Sequence, residues 1–134
     1  SVLAQGGVVG IAPEGGAGAT VLRPPRHGAA FLAVRAQARV LPIGIDGASE
    51  IFPSLGRGRR ARVTVRIGRP LGPFHATGKG QARRRQLDDI GHQIMRAIAS
   101  LIPPEQRGHY SDDPALRAAA RQAAVYHWDD EPEI

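Results

Sequence analysis

Residues 8–18 read VVGIAPEGGAG, a short apolar run that delivers Pro13 and Glu14 to a glycine-rich turn. A strand ending in one carboxylate ahead of flexible backbone fits ligand recognition, because α/β sheets bind ligands beyond the carboxyl ends of their strands. There Glu14 would accept hydrogen bonds from a polyol hydroxyl. Gly15 and Gly16 would let the ligand approach the main chain. Arg23 and Arg26, just downstream, would take a phosphate through charge-assisted bonds. The structural alternative is a turn in which Glu14 caps the next stretch of backbone, and the spacing favours neither reading.

Other chemistry is poorly supported by spacing. In GPFHATGKG, at 72–80, Gly78 and Lys79 match a phosphate loop, but Gly72 falls one residue too early and Gly80 occupies the magnesium-binding Ser/Thr position. The GGAGA run at 15–19 fails the dinucleotide spacing. His27, His75, His92, His109 and His127 are scattered, with no pair four residues apart on a helix, so zinc ligation has no framework. HYSDD at 109–113 has cation-binding residue types but reads better as a solvated loop. With no cysteine, disulfides, thiolate metal sites and cysteine nucleophiles are excluded.

Charge narrows the partners. Residues 1–104 carry 15 basic and 5 acidic groups, whereas residues 105–134 carry 3 and 7. A basic body calls for an anionic partner: nucleic acid, phospholipid headgroups or a phosphorylated metabolite. Arg57, Arg59, Arg60, Arg62 and Arg66, with Arg83, Arg84 and Arg85, could neutralise nucleic-acid phosphates. Yet no aromatic interleaves these arginines to stack on bases.

The elements that must position these groups follow from pattern. Residues 8–12 read as a buried strand, 15–25 as a loop, and 27–37 as a helix turning Phe31, Leu32 and Val34 to a core. Residues 39–45 form a second apolar strand, where Pro42, lacking an N–H, implies an edge or bulge. Residues 46–60 read as a long loop. Val63, Val65 and Ile67 alternate with Arg62, Thr64 and Arg66, a strand over 61–67 with one wet, cationic face. Leu87, Ile90, Ile94, Ile98 and Leu101 make one apolar stripe on a helix over 81–102. A short Ala-rich helix over 115–126 leads into an acidic tail, WDDEPEI, expected to be disordered. The order implies an α/β fold with a mixed, partly parallel sheet flanked by helices.

Taken in series, VVGIAPEGG, LRPPRHGAAFLA and ARVLPIGIDG resemble the glycerolipid acyltransferases of the lysophosphatidate type. In that family a strand ends in Phe-Pro-Glu-Gly-Thr-Arg-Ser, a basic residue and Gly precede a helix, and a later strand reads Val-Leu-Pro-Val. Pro13, Glu14, Gly15, Arg26, Gly28, Val40, Leu41, Pro42, Ile43 and Gly47 occupy the matching positions. VTVRIGRPL at 63–71 and LIPPEQRGHY at 101–110 resemble later family segments, so the likeness spans residues 3–110.

The resemblance implies an α/β domain that moves a fatty acyl group from acyl-CoA or acyl-carrier protein to a lysophospholipid hydroxyl. No further cofactor is needed. Acceptor contacts would fall to Pro13, Glu14, Gly15, Gly16, Arg23, Arg26 and Pro42. The arginine-rich face would lie on anionic lipid at the inner face of the membrane. Two departures stand out. Ala17 takes the place of the family's phosphate-holding arginine, with Gly16 at the Thr and Ala12 at the Phe position. The family's catalytic His-x-x-x-x-Asp, whose imidazole deprotonates the acceptor, is absent: Leu32, Gly80, Ala97, Pro114 and Pro132 stand five residues after the histidines. Residues 1–104 are therefore expected to be the C-terminal portion of an acyltransferase domain, with no catalytic residue and no activity alone, and 105–134 an extension. The alternatives are a nucleic-acid-binding module and a non-catalytic lipid-binding homologue.

Overall fold

The computed structural model describes residues 2–15 and 20–124. Its scaffold is two helices packed face to face. Helix α1 (His27–Ala36) buries Ala29, Ala30, Ala33 and Val34. Helix α3 (Gly80–Ala99) buries Leu87, Ile90, Gly91, Ile94, Met95 and Ala99. Small residues on α1 let the axes approach closely, and Ala30, Val34, Leu87, Ile90 and Ile94 form the core. Val40, Leu71, Phe74, Ala76 and Ile98 pack against that cluster. Helix α1 stops at Gln37, which turns left-handed at φ 50°; its side-chain amide donates to Val34 O at 2.8 Å and Phe74 O at 3.1 Å. Phe31, expected in the core, is 46 % exposed, because the three alanines supply the packed face instead.

Strand β1 (Ile43–Asp46) pairs antiparallel with β2 (Thr64–Ile67), Ile43 opposite Ile67 and Asp46 opposite Thr64. An isolated bridge joins Val40 to Leu71. From Val40 to Ile43 is three steps and from Leu71 to Ile67 four, so the ladder carries one extra residue, a β-bulge. Pro42 sits at this irregularity, its carbonyl accepting the Gly68 N–H at 2.9 Å, as the missing donor required.

Two expectations are corrected. The sheet is not partly parallel: among the described residues it has two antiparallel strands. Residues 8–12, expected to be a buried strand, form no strand, with Val8 91 % exposed; sequence pattern supplies strand propensity but not a neighbour to bond to. Likewise β2 has no sheltered apolar face, for Val63, Val65 and Ile67 are all exposed.

The loop expected over 46–60 holds a further helix, α2 (Ile51–Gly56), behind a 3-10 turn at Ala48–Glu50. Gly47 starts it at φ 81°, where a side chain would collide with the Arg62 carbonyl. Beyond α3, 3-10 turns at Pro104–Gln106 and Gly108–Tyr110 lead to α4 (Pro114–Ala123). Asp113 caps α4 by accepting from the Ala115 N–H at 2.8 Å. This segment is strapped to Leu22: the Leu22 N–H donates to Gln106 O and the His109 N–H to Leu22 O, both at 2.9 Å. The expected acidic tail lies outside the described residues.

Candidate functional site

The Pro13–Glu14 turn is closed at both ends by main-chain bonds. The Gly15 N–H donates to Ala12 O at 3.1 Å, and the Arg26 N–H to Pro13 O at 2.8 Å. Gly15 adopts φ 77°, and a Cβ there would sit 2.6 Å from Arg26 Cδ. The left-handed backbone favours glycine here, and the Arg26 side chain lies across it.

Glu14 and Arg23 meet inside this loop. The Arg23 N–H donates to Glu14 Oε2 at 3.0 Å, and Arg23 Nε stands 3.6 Å from the same oxygen. The arginine side chain is 6 % exposed and the carboxylate 21 %. Arg23 Nη1 also donates to Ala123 O, at 3.3 Å, in the last turn of α4. A guanidinium buried this deeply needs a counter-charge, and Glu14 supplies it. Arg23 is therefore engaged within the chain; Arg26, at the loop's rim, is exposed. Gly16 lies outside the described residues.

Next to this turn opens an apolar groove of about 790 Å³. Residues 8–14 form one wall, residues 38–43 with Ile45 the other. Ala29, Leu32 and Ala33 of α1 and Ile94, Met95 and Ile98 of α3 contribute the floor. Pro13, Glu14 and buried Pro42 share its lining, so the structure brings these three candidates together.

Across the fold, α3 and the Gly108–Tyr110 turn assemble a cluster that no spacing announced. His92 Nδ1 lies 2.7 Å from Tyr110 Oη, and His92 Nε2 lies 3.7 Å from Asp88 on the previous turn. The His109 ring stacks on His92 with centroids 5.7 Å apart and meets Tyr110 edge-on at 5.0 Å. Burial raises the Tyr110 pKa well above the usual phenol range, so the hydroxyl keeps its proton at neutral pH. Burial, then the neighbouring His92, Arg121 and Arg96 charges, lower the His109 pKa. His92, one of the scattered histidines of the sequence, is this cluster's centre. None of the cluster lines the groove, so it offers no base to Glu14.

A third surface joins charge to apolar area. On α2, Phe52 is 81 % and Leu55 71 % exposed, and Arg57, Arg59, Arg60 and Arg62 follow, all exposed. No group of three or more His, Cys, Asp or Glu poised for a metal occurs among the described residues. No helix among them is long and apolar enough to cross a membrane.

A scan against protein-family models and searches of curated proteins and of solved structures give no match to this chain.

Proposed function

We propose that this chain is the acceptor-binding portion of an acyltransferase that moves a fatty acyl group from acyl-CoA or acyl-carrier protein to a lysophospholipid hydroxyl. The observation that carries the reading is the Glu14 turn. A carboxylate fixed by a buried guanidinium sits beside an exposed one, Arg26, at the end of an apolar segment. A rigid hydrogen-bond acceptor next to a cation suits a hydroxyl-bearing phosphoester, with Glu14 orienting the hydroxyl and Arg26 meeting the phosphate. In this reading Arg23 positions Glu14 instead of touching the acceptor. In this reading a further polypeptide segment supplies the family's His-x-x-x-x-Asp general base, and residues 1–104 belong to the catalytic domain with 105–134 as an extension. The protein works peripherally, at an anionic membrane face, with α2 and its arginines turned to lipid.

The test is transfer of labelled acyl groups from acyl-CoA to lysophosphatidate, comparing this chain, the chain extended upstream through its coding sequence, and that extension carrying Glu14→Gln. Transfer by the extended form alone, reduced at least a hundredfold by Glu14→Gln, is expected. No transfer by any form, with DNA or RNA binding that falls steeply with salt, replaces this reading with the nucleic-acid one. No transfer but retained binding of lysophospholipid leaves a lipid-binding homologue.

A further inference from the structure

The groove beside Glu14 is lined on one side by residues 8–14 and on the other by residues 38–43 with Ile45. Among the described residues, 8–11 make no backbone hydrogen bond, so their N–H and C=O groups are open to a partner. The opposite wall is β1. The Pro42 carbonyl bonds to Gly68, so by the alternation of an antiparallel ladder residues 42, 44 and 46 face β2. Ile43 and Ile45 turn their N–H and C=O the other way, to the open edge. Six large apolar side chains stand exposed along these walls: Val8, Val9, Ile11, Leu41, Ile43 and Ile45.

We propose that the groove receives one extended apolar strand, of about five residues, from a polypeptide outside these 134 residues. The strand hydrogen-bonds to residues 8–11 on one side and to the free edge of β1 on the other. It completes a sheet laid over α1 and α3, and the proposal holds whatever reaction the protein serves.

Three observations select this occupant. A hydrocarbon ligand would cover the apolar side chains but leave two rows of backbone groups unpaired in a water-poor cleft, which costs free energy at every group. In a second copy β2 already spends one edge on its own β1 and could bond only one wall, and pairing through the copy's residues 8–11 is what dimerisation of the chain alone would reveal. Area agrees. The chain exposes 9663 Å². A compact body of 14.2 kDa exposes roughly 6800 Å². An ordinary interface takes about 800 Å² from each partner.

The experiment uses the 134-residue chain and a fluorescent synthetic peptide of alternating Val and Ile, flanked by Glu pairs to suit the chain's +6 charge. Binding is followed by anisotropy and amide exchange by NMR. Micromolar binding is expected, with exchange at Ile43, Ile45 and alternate residues of 8–11 slowed at least tenfold. The same peptide N-methylated at every second residue should bind at least tenfold more weakly, as should the intact peptide to Val9→Pro, whose exposed site has no hydrogen bond to lose. Equal binding of the N-methylated peptide, displacement by palmitate without change at those amides, or protection of the same amides by dimerisation of the chain alone would each overturn the proposal. So would absence of binding.

Discussion

Glu14 and Arg23 are nine positions apart, and each explains the other's burial. Truncating the carboxylate strands a guanidinium inside the protein, so Glu14→Ala should cost about 3 kcal/mol, read from urea unfolding. Glu14→Gln keeps an acceptor for the Arg23 N–H and should cost less than half of that. Equal costs would show that packing, not charge, holds the pair. At the other cluster, Tyr110→Phe deletes the hydroxyl that bonds His92 and should cost about 1 kcal/mol. His109 adds a pH dependence. Its folded pKa lies below the ordinary histidine value, so the unfolded chain binds the proton more readily. The stability present above pH 6.5 is then lost as pH falls through the folded pKa. The urea midpoint should drop between pH 7.5 and 5 in the native chain, and less steeply in His109→Asn. A parallel drop in both would remove His109 as the cause.

Among the elements, α3 carries the fold. Ile94 is 2 % exposed at the α1 contact, and Ile94→Ala should cost about 3 kcal/mol through lost transfer energy and the cavity left behind. Helix α4 is held differently, by the Asp113 cap, the strap to Leu22 and the Arg23 bond to Ala123. Asp113→Ala should cost about 1 kcal/mol and speed amide exchange across α4 while leaving α3 protection unchanged. If exchange rises equally in α3, the two helices unfold as one unit and α4 is no separate strap.

At the scale of the whole molecule, apolar and cationic surface coincide at α2. A headgroup-level contact gains from Phe52 and Leu55 entering the acyl boundary and from arginines meeting anionic lipid, each worth about 1 kcal/mol. Vesicles of phosphatidylcholine with phosphatidylglycerol should bind the chain, and phosphatidylcholine alone should bind it far less. Replacing Phe52 and Leu55 by Ser should weaken the binding about tenfold at constant salt. Arg59→Gln with Arg60→Gln should weaken it comparably and flatten its salt dependence. Binding untouched by the Phe52 and Leu55 changes would leave charge alone as the cause.

The long helix, the α1 helix, an irregularity at Pro42 (edge or bulge) and the Ala-rich C-terminal helix were all legible in the sequence, since each rests on local pattern: an apolar stripe, a missing N–H, a run of alanines. So was the turn at Glu14, from a strand-like run meeting Pro-Glu-Gly. What neighbours these elements find is a long-range matter that periodicity does not encode. Residues 8–12 have the apolar content of a buried strand, yet burial needs a second strand alongside, and among the described residues none pairs with them. Arg23 looked like a ligand-facing cation until the chain closed over it and gave it Glu14 and Ala123. His92 acquired Tyr110 and His109 only because two 3-10 turns bring residues 18 and 17 positions away back onto α3. Tertiary structure decided those partners because side-chain charge and backbone edges are satisfied by proximity in space, which the order of residues along the chain leaves open.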